Sequence, residues 1–288
     1  MHNANPPSEV LSGRLRADTV EAYAALHGGL WDVEVVQLAT GVVRARADFA
    51  ATPRAVIYRE RWERPVHARG ALGADQIAFG FPARREQAYQ IAGRSAAPDS
   101  LHRLSSSSEL DMITGPDYRN LVLVVERRAL EQALATGAPE FVPAVLDARS
   151  CTLLRIGAPA RRALEAQLTQ LANAMLDAVL PCAWTAGRIE EEILDALVGA
   201  LAHVSDVNSS AIEGRRRLTR DAIAWARDHQ FDVSVGALCK ATERGRRTLE
   251  LAFRQVVGVS PGRYFRRARL EGAYVDLSLI HISEPTRL

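Results

Sequence analysis

Over the first 125 positions the hydrophobic residues come in short bursts. Segments 31–38, 42–49, 54–62, 76–81, 88–91 and 121–125 are rich in Val, Ile and aromatics, with Gly-, Pro- and Ser-rich breaks between them. Val33 and Val35 share a face, as do Val43, Ala45, Ala47 and Phe49. Period-two alternation is the signature of strands with one buried face. Short strands separated by turn signals predict an all-β barrel or sandwich. The serine run 105–108 is read as a loop.

Beyond Glu126 the period becomes helical. Residues 18–26 already carry a weak helical pattern. Residues 128–135, 159–180 and 188–201 carry stronger ones. Leu164, Leu168, Leu171 and Met175 form one stripe; Ile189, Ile193, Leu197 and Leu201 form another. Such stripes serve ordinary core packing or a helical pair for self-association. Residues 203–214 are polar and without period, which places a domain boundary there, and 218–229 start a second helical region. With 288 residues the chain has material for two domains. The predicted class is α+β: a β-rich body with a helical pair, then an all-α domain.

The all-α part has its own syntax. Val235, Leu238 and Ala241 lie on one face of a short helix. Positions 242–245 form a turn, where Gly245 permits a positive φ or a close approach. Leu249, Ala252, Phe253 and Val256 then recur at i, i+3, i+4, i+7, so this face is predicted to be core. Arg247, Glu250, Leu251 and Arg254 occupy the opposite face. Gly258 is placed as a C′ glycine, and Ser260–Pro261 as an N-cap with proline at N1. Helix, turn and Arg-rich helix have the layout of a helix-turn-helix DNA reader. A helical hairpin with a solvated basic face has the same spacing.

Charge sharpens the choice. Positions 215–269 hold 14 Lys and Arg against 5 Asp and Glu, a net of +9, which leaves −7 on the rest of a chain whose total is +2. A basic C-terminal part on an acidic body is the footprint of a nucleic-acid module. Cys151, Cys182 and Cys239 are widely spaced without a CxxC, so neither a disulfide framework nor a zinc site is indicated. The N-terminal residues lack a signal-peptide pattern and no apolar run reaches membrane-spanning length. A cytoplasmic protein with no membrane partner is expected.

The segment 233–272 resembles the first helix-turn-helix of the AraC/XylS family of bacterial transcription regulators. Leu238-Cys239, Arg247-Thr248-Leu249, Phe253-Arg254, Gly258-Val259-Ser260-Pro261, Tyr264 and Arg269-Leu270 carry the likeness. It implies that the outer face of the second helix reads bases of double-stranded promoter DNA. Arg247, Glu250, Leu251 and Arg254 are the base-reading candidates. Arg246, Thr248 and Arg266 are the phosphate-holding ones. Family members usually have Gly-x-Ser before the second helix; Glu243, Arg244 and Gly245 stand there, so the cap is weaker. Glu250 and Leu251 replace a frequent Gln and Arg, which implies an altered sequence preference.

The same resemblance implies a cupin-like β-barrel that binds a small-molecule effector, a homodimer, and contact with RNA polymerase if the protein is an activator. Trp31, Tyr58, Trp62, Phe79 and Phe81 are candidates to line the effector pocket, or else strand core. His67 and His102 are 35 positions apart with no second His near either, and both read as surface histidines. No metal, no cofactor and no catalytic motif is indicated, so an enzyme is not expected. The alternative is a cupin-like enzyme without a recognisable metal site.

The expected domains are 1–204 for effector sensing and self-association, and 215–276 for the first of two helix-turn-helix units. Residues 277–287 resemble translated sequencing adaptor, so 277–288 is read as an artefactual tail and the joining helix as truncated near Asp276.

Overall fold

The computed structural model describes residues 9–26, 30–83, 87, 89–106, 108–139, 142–146, 152–181, 184–204 and 213–270. Its strands are β1 (Leu11–Ala17), β2 (Trp31–Gln37), β3 (Ala45–Ala51), β4 (Ala55–Trp62), β5 (Val66–Leu72), β6 (Gln76–Pro82), β7 (Tyr89–Ile91), β8 (Arg94–Ser95), β9 (Ser100–Ser105), β10 (Glu109–Thr114), β11 (Tyr118–Glu126) and β12 (Thr152–Arg155). Its helices are α1 (Val20–Leu26), α2 (Arg127–Gly137), α3 (Val142–Leu146), α4 (Ala158–Leu176), α5 (Ala186–Leu201), α6 (Glu213–Asp228), α7 (Val235–Ala241), α8 (Arg246–Val256) and α9 (residues 261–270). The expected boundary over 203–214 falls mostly on 205–212, outside the described residues. So do Cys151, Cys182, and 271–288 with the expected tail.

The class is α+β, with two antiparallel sheets. One runs β1-β3-β4-β11-β6-β9-β12 and the other β2-β5-β10-β7-β8. The seven-stranded sheet is buried on both faces, and the pleat of β6 shows how. Ile77, Phe79 and Phe81 point to a core shared with Leu130 and Leu134 of α2, Leu164 and Leu168 of α4, and Ile189 and Leu197 of α5. Ala78 points the other way, into a core between the sheets with Trp31, Tyr58, Trp62, Tyr118 and Met112. The two helical stripes of the sequence are therefore cover for this sheet.

Several strands differ from the sequence expectation. β1, β5, β9, β10 and β12 lie outside the segments expected to be strands. His67, Arg69, His102, Arg103, Ser105 and Thr114 are buried on these strands. Their polarity hides the period, and partners far along the chain accommodate them. Arg69 Nη2 donates to Glu109 Oε1 on the neighbouring strand at 2.6 Å, and Val66 N donates to Thr114 Oγ1 at 3.0 Å. His67 and His102 are thus interior residues, contrary to the surface reading.

A third core closes the helical region. Ala222, Ile223 and Ala226 of α6, Leu238 of α7, Leu249, Phe253 and Val256 of α8, Val257 just beyond it, and Tyr264, Phe265 and Ala268 of α9 pack together. Val36 and Leu38 at the end of β2 join this cluster. No helix among the described residues is long and apolar enough to cross a membrane.

Candidate functional site

Two places gather the candidate residues. The first is α8. Ser234 caps α7, its hydroxyl accepting from Ala237 N at 3.1 Å. The turn after α7 takes its positive φ at Glu243 (52°), not at Gly245. Gly245 is instead the N-cap of α8, with φ −65°, no side-chain cap bond, and nothing near the position of a Cβ. The expected positive φ or close approach at this glycine is therefore not what it provides. Gly258 does take a positive φ (78°), and its N–H donates to Phe253 O at 3.1 Å, ending α8.

Leu249, Ala252, Phe253 and Val256 are buried at 1% exposure or less. That fixes which way α8 faces. Arg246, Arg247, Thr248, Leu251 and Arg254 are exposed, and Glu250 is half-buried. Leu251 is 45% exposed. Arg246 Nε donates to Glu250 Oε1 at 3.0 Å, so the acid on this face is engaged within the helix. Arg263 and Arg266 are exposed on α9, whereas Arg267 donates to Gln37 O at 3.0 Å and Arg269 to Asp232 Oδ1 at 2.5 Å. The structure therefore groups the base-reading candidates on one open face of α8, and leaves Arg266 open on the next helix.

The helical region is tied to the five-stranded sheet on its other side. His67 is the centre of the contact. Its Nε2 lies 2.6 Å from the Asp111 carboxylate that accepts from it, and its Nδ1 lies 3.0 Å from the Tyr264 hydroxyl. Burial pushes the Tyr264 hydroxyl above its ordinary pKa. Arg227 of α6 bonds Glu34 of β2 at 2.6 Å.

The second place is a cavity between the sheets, with about 450 Å³ of empty space continuous with solvent. Trp31, Tyr58 and Trp62 line it, together with Tyr23, Glu60, His102 and Asn120. Phe79 and Phe81 do not; they face the helix-covered core, where the Arg161 guanidinium sits 5.0 Å from the Phe81 ring centre. Sequence reasoning did not single out Glu60, Tyr23 or Asn120. The alternation of Tyr58, Glu60 and Trp62 along β4 was the available signal for Glu60.

Tyr23 donates its hydroxyl proton to Glu60 Oε1. Burial first, and then the Glu60 charge, raise the pKa of Tyr23 and Tyr58 well above the usual value, so both remain donors. His102 is pressed against Gly80: a Cβ there would lie 2.3 Å from its Nε2. Burial lowers the His102 pKa from 6.5 to about 4, while Glu60 opposes the shift. An unfolded chain would take a proton at this residue near 6.5, and the folded chain only near 4. Between those values the unfolded state binds more protons, so stability present above pH 6.5 is lost as pH falls. From pH 6.5 to 5 the expected loss is about 2 kcal/mol at 1.36 kcal/mol per unit. Urea titrations across that range, with His102→Gln as the comparison, measure it; an equal slope in the variant assigns the loss to other groups.

No family model and no curated protein matches the chain. Among solved structures, it is similar to the AraC-like transcriptional activator CuxR, with 16% identity and a TM-score of 0.48 over 91% of this chain and 95% of that one. It also resembles ToxT from Vibrio cholerae O395, at 8% identity and a TM-score of 0.31 over 96% and 84%. A fatty-acid-bound ToxT from strain SCE256 gives 7% identity and a TM-score of 0.28.

Proposed function

We propose that the protein is a transcription regulator of the AraC type that reads promoter DNA through α7, the turn and α8, under control of a small effector held between the two sheets. One observation carries this reading. The apolar face of α8 is fully buried while Arg247, Leu251 and Arg254 stand exposed together on the other. A helix anchored on one side with arginines on the other can enter a major groove, where Arg bonds guanine O6 and N7. Arg246, Thr248 and Arg266 would hold phosphates, and Glu250 would accept from a cytosine amino group on release from Arg246. Self-association through α4 and α5 and, for an activator, contact with RNA polymerase belong to the same proposal, as does a cytoplasmic setting without catalytic activity.

The test is fluorescence anisotropy with a duplex from the gene's own promoter and a scrambled duplex. Neutralising several phosphates makes affinity fall by about an order of magnitude or more between 50 and 200 mM salt. Affinity unchanged over that range would remove the DNA reading. Arg247→Ala is expected to reduce the preference for promoter over scrambled duplex by about 1–3 kcal/mol. An unaltered preference would take Arg247 out of the base-reading set.

A further inference from the structure

The two sheets give the cavity unlike walls. The five-stranded sheet contributes Val33, Ala68, Leu110 and Met112, an aliphatic surface, together with Trp31. The seven-stranded sheet contributes Tyr58, Glu60, Trp62, His102 and Asn120, all with polar atoms, and Val122. Neither wall offers a free counter-charge. No Lys or Arg is among the described residues lining the space. His102 is held uncharged at neutral pH by its burial. Glu60 already accepts from the Tyr23 hydroxyl. Three polar atoms of the lining side chains are different: Trp31 Nε1, Trp62 Nε1 and Asn120 Oδ1 are buried without a hydrogen-bond partner among the described residues. Burial raises the pKa of Tyr23 and Tyr58, and Trp62 and Trp31, turned toward those two hydroxyls, oppose it. Neither indole nitrogen, however, reaches hydrogen-bond geometry. The cavity therefore presents two donors and one acceptor that are not engaged by the protein.

Resting on the effector-domain reading above, we propose that this cavity binds a small uncharged molecule carrying an amide or hydroxyl group on a short alkyl body. Such a group both accepts and donates. Its oxygen takes up the indole N–H groups, and its own N–H or O–H serves Asn120 Oδ1. A buried donor or acceptor without a partner is costly, so a molecule that supplies the partner is favoured. Ions match less well. A carboxylate accepts from the indoles but has no proton for Asn120 and no cation to offset its charge. An ammonium donates to Asn120 but leaves both indoles without an acceptor. Burying either ion without a free counter-charge is also unfavourable. The alkyl body lies against Val33, Leu110 and Met112, where each buried methylene adds to affinity. About 40 Å³ of the cavity is open to the centres of water-sized atoms, room for roughly three such groups at ~10–15 Å³ each. The polar head and the first methylenes fit inside, and any longer substituent leaves by the open end.

The experiment uses the full chain with isotope-labelled tryptophan and three probes of similar length: butyramide, butyrate and n-butylammonium. Only the first is uncharged at pH 7. The chain has four tryptophans, so NMR resolves four indole N–H signals. Trp31→Phe and Trp62→Phe identify two of them. Butyramide is expected to bind saturably, with Kd in the ~0.1–10 mM range suited to so few atoms. It should shift the Trp31 and Trp62 signals and leave those of Trp184 and Trp225 in place. It should bind at least about tenfold more tightly than either ion. Asn120→Leu is expected to weaken butyramide by about tenfold through loss of the acceptor. Binding of either ion as tight as that of butyramide, no saturable binding of butyramide, unmoved Trp31 and Trp62 signals, or an unaltered affinity in Asn120→Leu would each overturn the proposal. The probe comparison on the unaltered chain stands even if a variant fails to fold. Promoter binding is measured on the same preparation. Intact salt-dependent DNA binding without butyramide binding sinks this inference alone, and butyramide binding without DNA binding sinks the regulator reading alone.

Discussion

Phe253→Ala is expected to destabilise the helical region by about 3–5 kcal/mol, the usual range for truncating a buried phenylalanine. The ring has no exposed surface and sits at the junction of three helices. It packs edge-on against Tyr264 at 6.0 Å and Phe265 at 5.4 Å between centroids, both on α9. From the other side α6 closes over it with Ala222, Ile223 and Ala226, none of which is large enough to fill the void. Total stabilities of domains are only about 5–15 kcal/mol, so a loss of this size leaves α8 poorly held. Promoter binding should collapse with it. Leu251→Ala, two residues away on the opposite, exposed face, is expected to change stability by less than about 0.5 kcal/mol. Urea unfolding followed by circular dichroism compares the two. Similar costs for both would mean that the assignment of buried and open faces on α8 is wrong, and with it the base-reading set.

That assignment was legible in the sequence because everything needed to make it is local. The i, i+3, i+4, i+7 spacing of Leu249, Ala252, Phe253 and Val256 names the buried face, and all four are buried. Gly258 announces the helix end, and its φ of 78° is the reason. Gly245 is less legible: its lack of a side chain points to a conformational need, yet the left-handed residue is Glu243. A turn can place its strain on any of its residues, and spacing does not choose among them.

The two-sheet body was legible only where strands alternate or run continuously apolar, as β3, β4, β6 and β11 do. β5 and β9 escaped because their buried positions are polar and answered from a distance. His67 finds Asp111 44 positions away and Tyr264 197 positions away. The cavity shows the same limit. Trp31, Tyr58, Trp62, Phe79 and Phe81 look equivalent in the chain, yet the pleat of β6 sends the two phenylalanines to the other side of the sheet. What settles the face is that Gly80 lies opposite His102 and leaves room for its ring. A glycine whose purpose is to accommodate a side chain on another strand has no local signature.

The strongest effect expected in the β-rich body also sits at a glycine. Gly70 lies on β5, between β2 and β10, opposite Val33 and Leu110. A Cβ there would lie 2.1 Å from Asp32 O and 2.8 Å from Val33 Cα, and both are backbone atoms. A side chain could rotate away, but a paired strand cannot, so Gly70→Ala must push β2 off β5. β2 carries Trp31 into the cavity, holds Glu34 against Arg227, and leads to Val36 and Leu38 under the helical region. Overpacking usually costs about 1–3 kcal/mol, and a clash confined to backbone belongs at or above the top of that range. Gly199→Ala makes the opposite case. It lies within α5 with nothing within 4 Å of a Cβ, and there the added methyl should stabilise by about 0.5–1 kcal/mol through helix propensity. Denaturation of both variants reads the sign directly. Because β2 also leads to the helical region, Gly70→Ala should weaken promoter binding as well. If it keeps stability within about 1 kcal/mol of the parent chain, the close approach of β2 and β5, and the coupling drawn from it, are refuted.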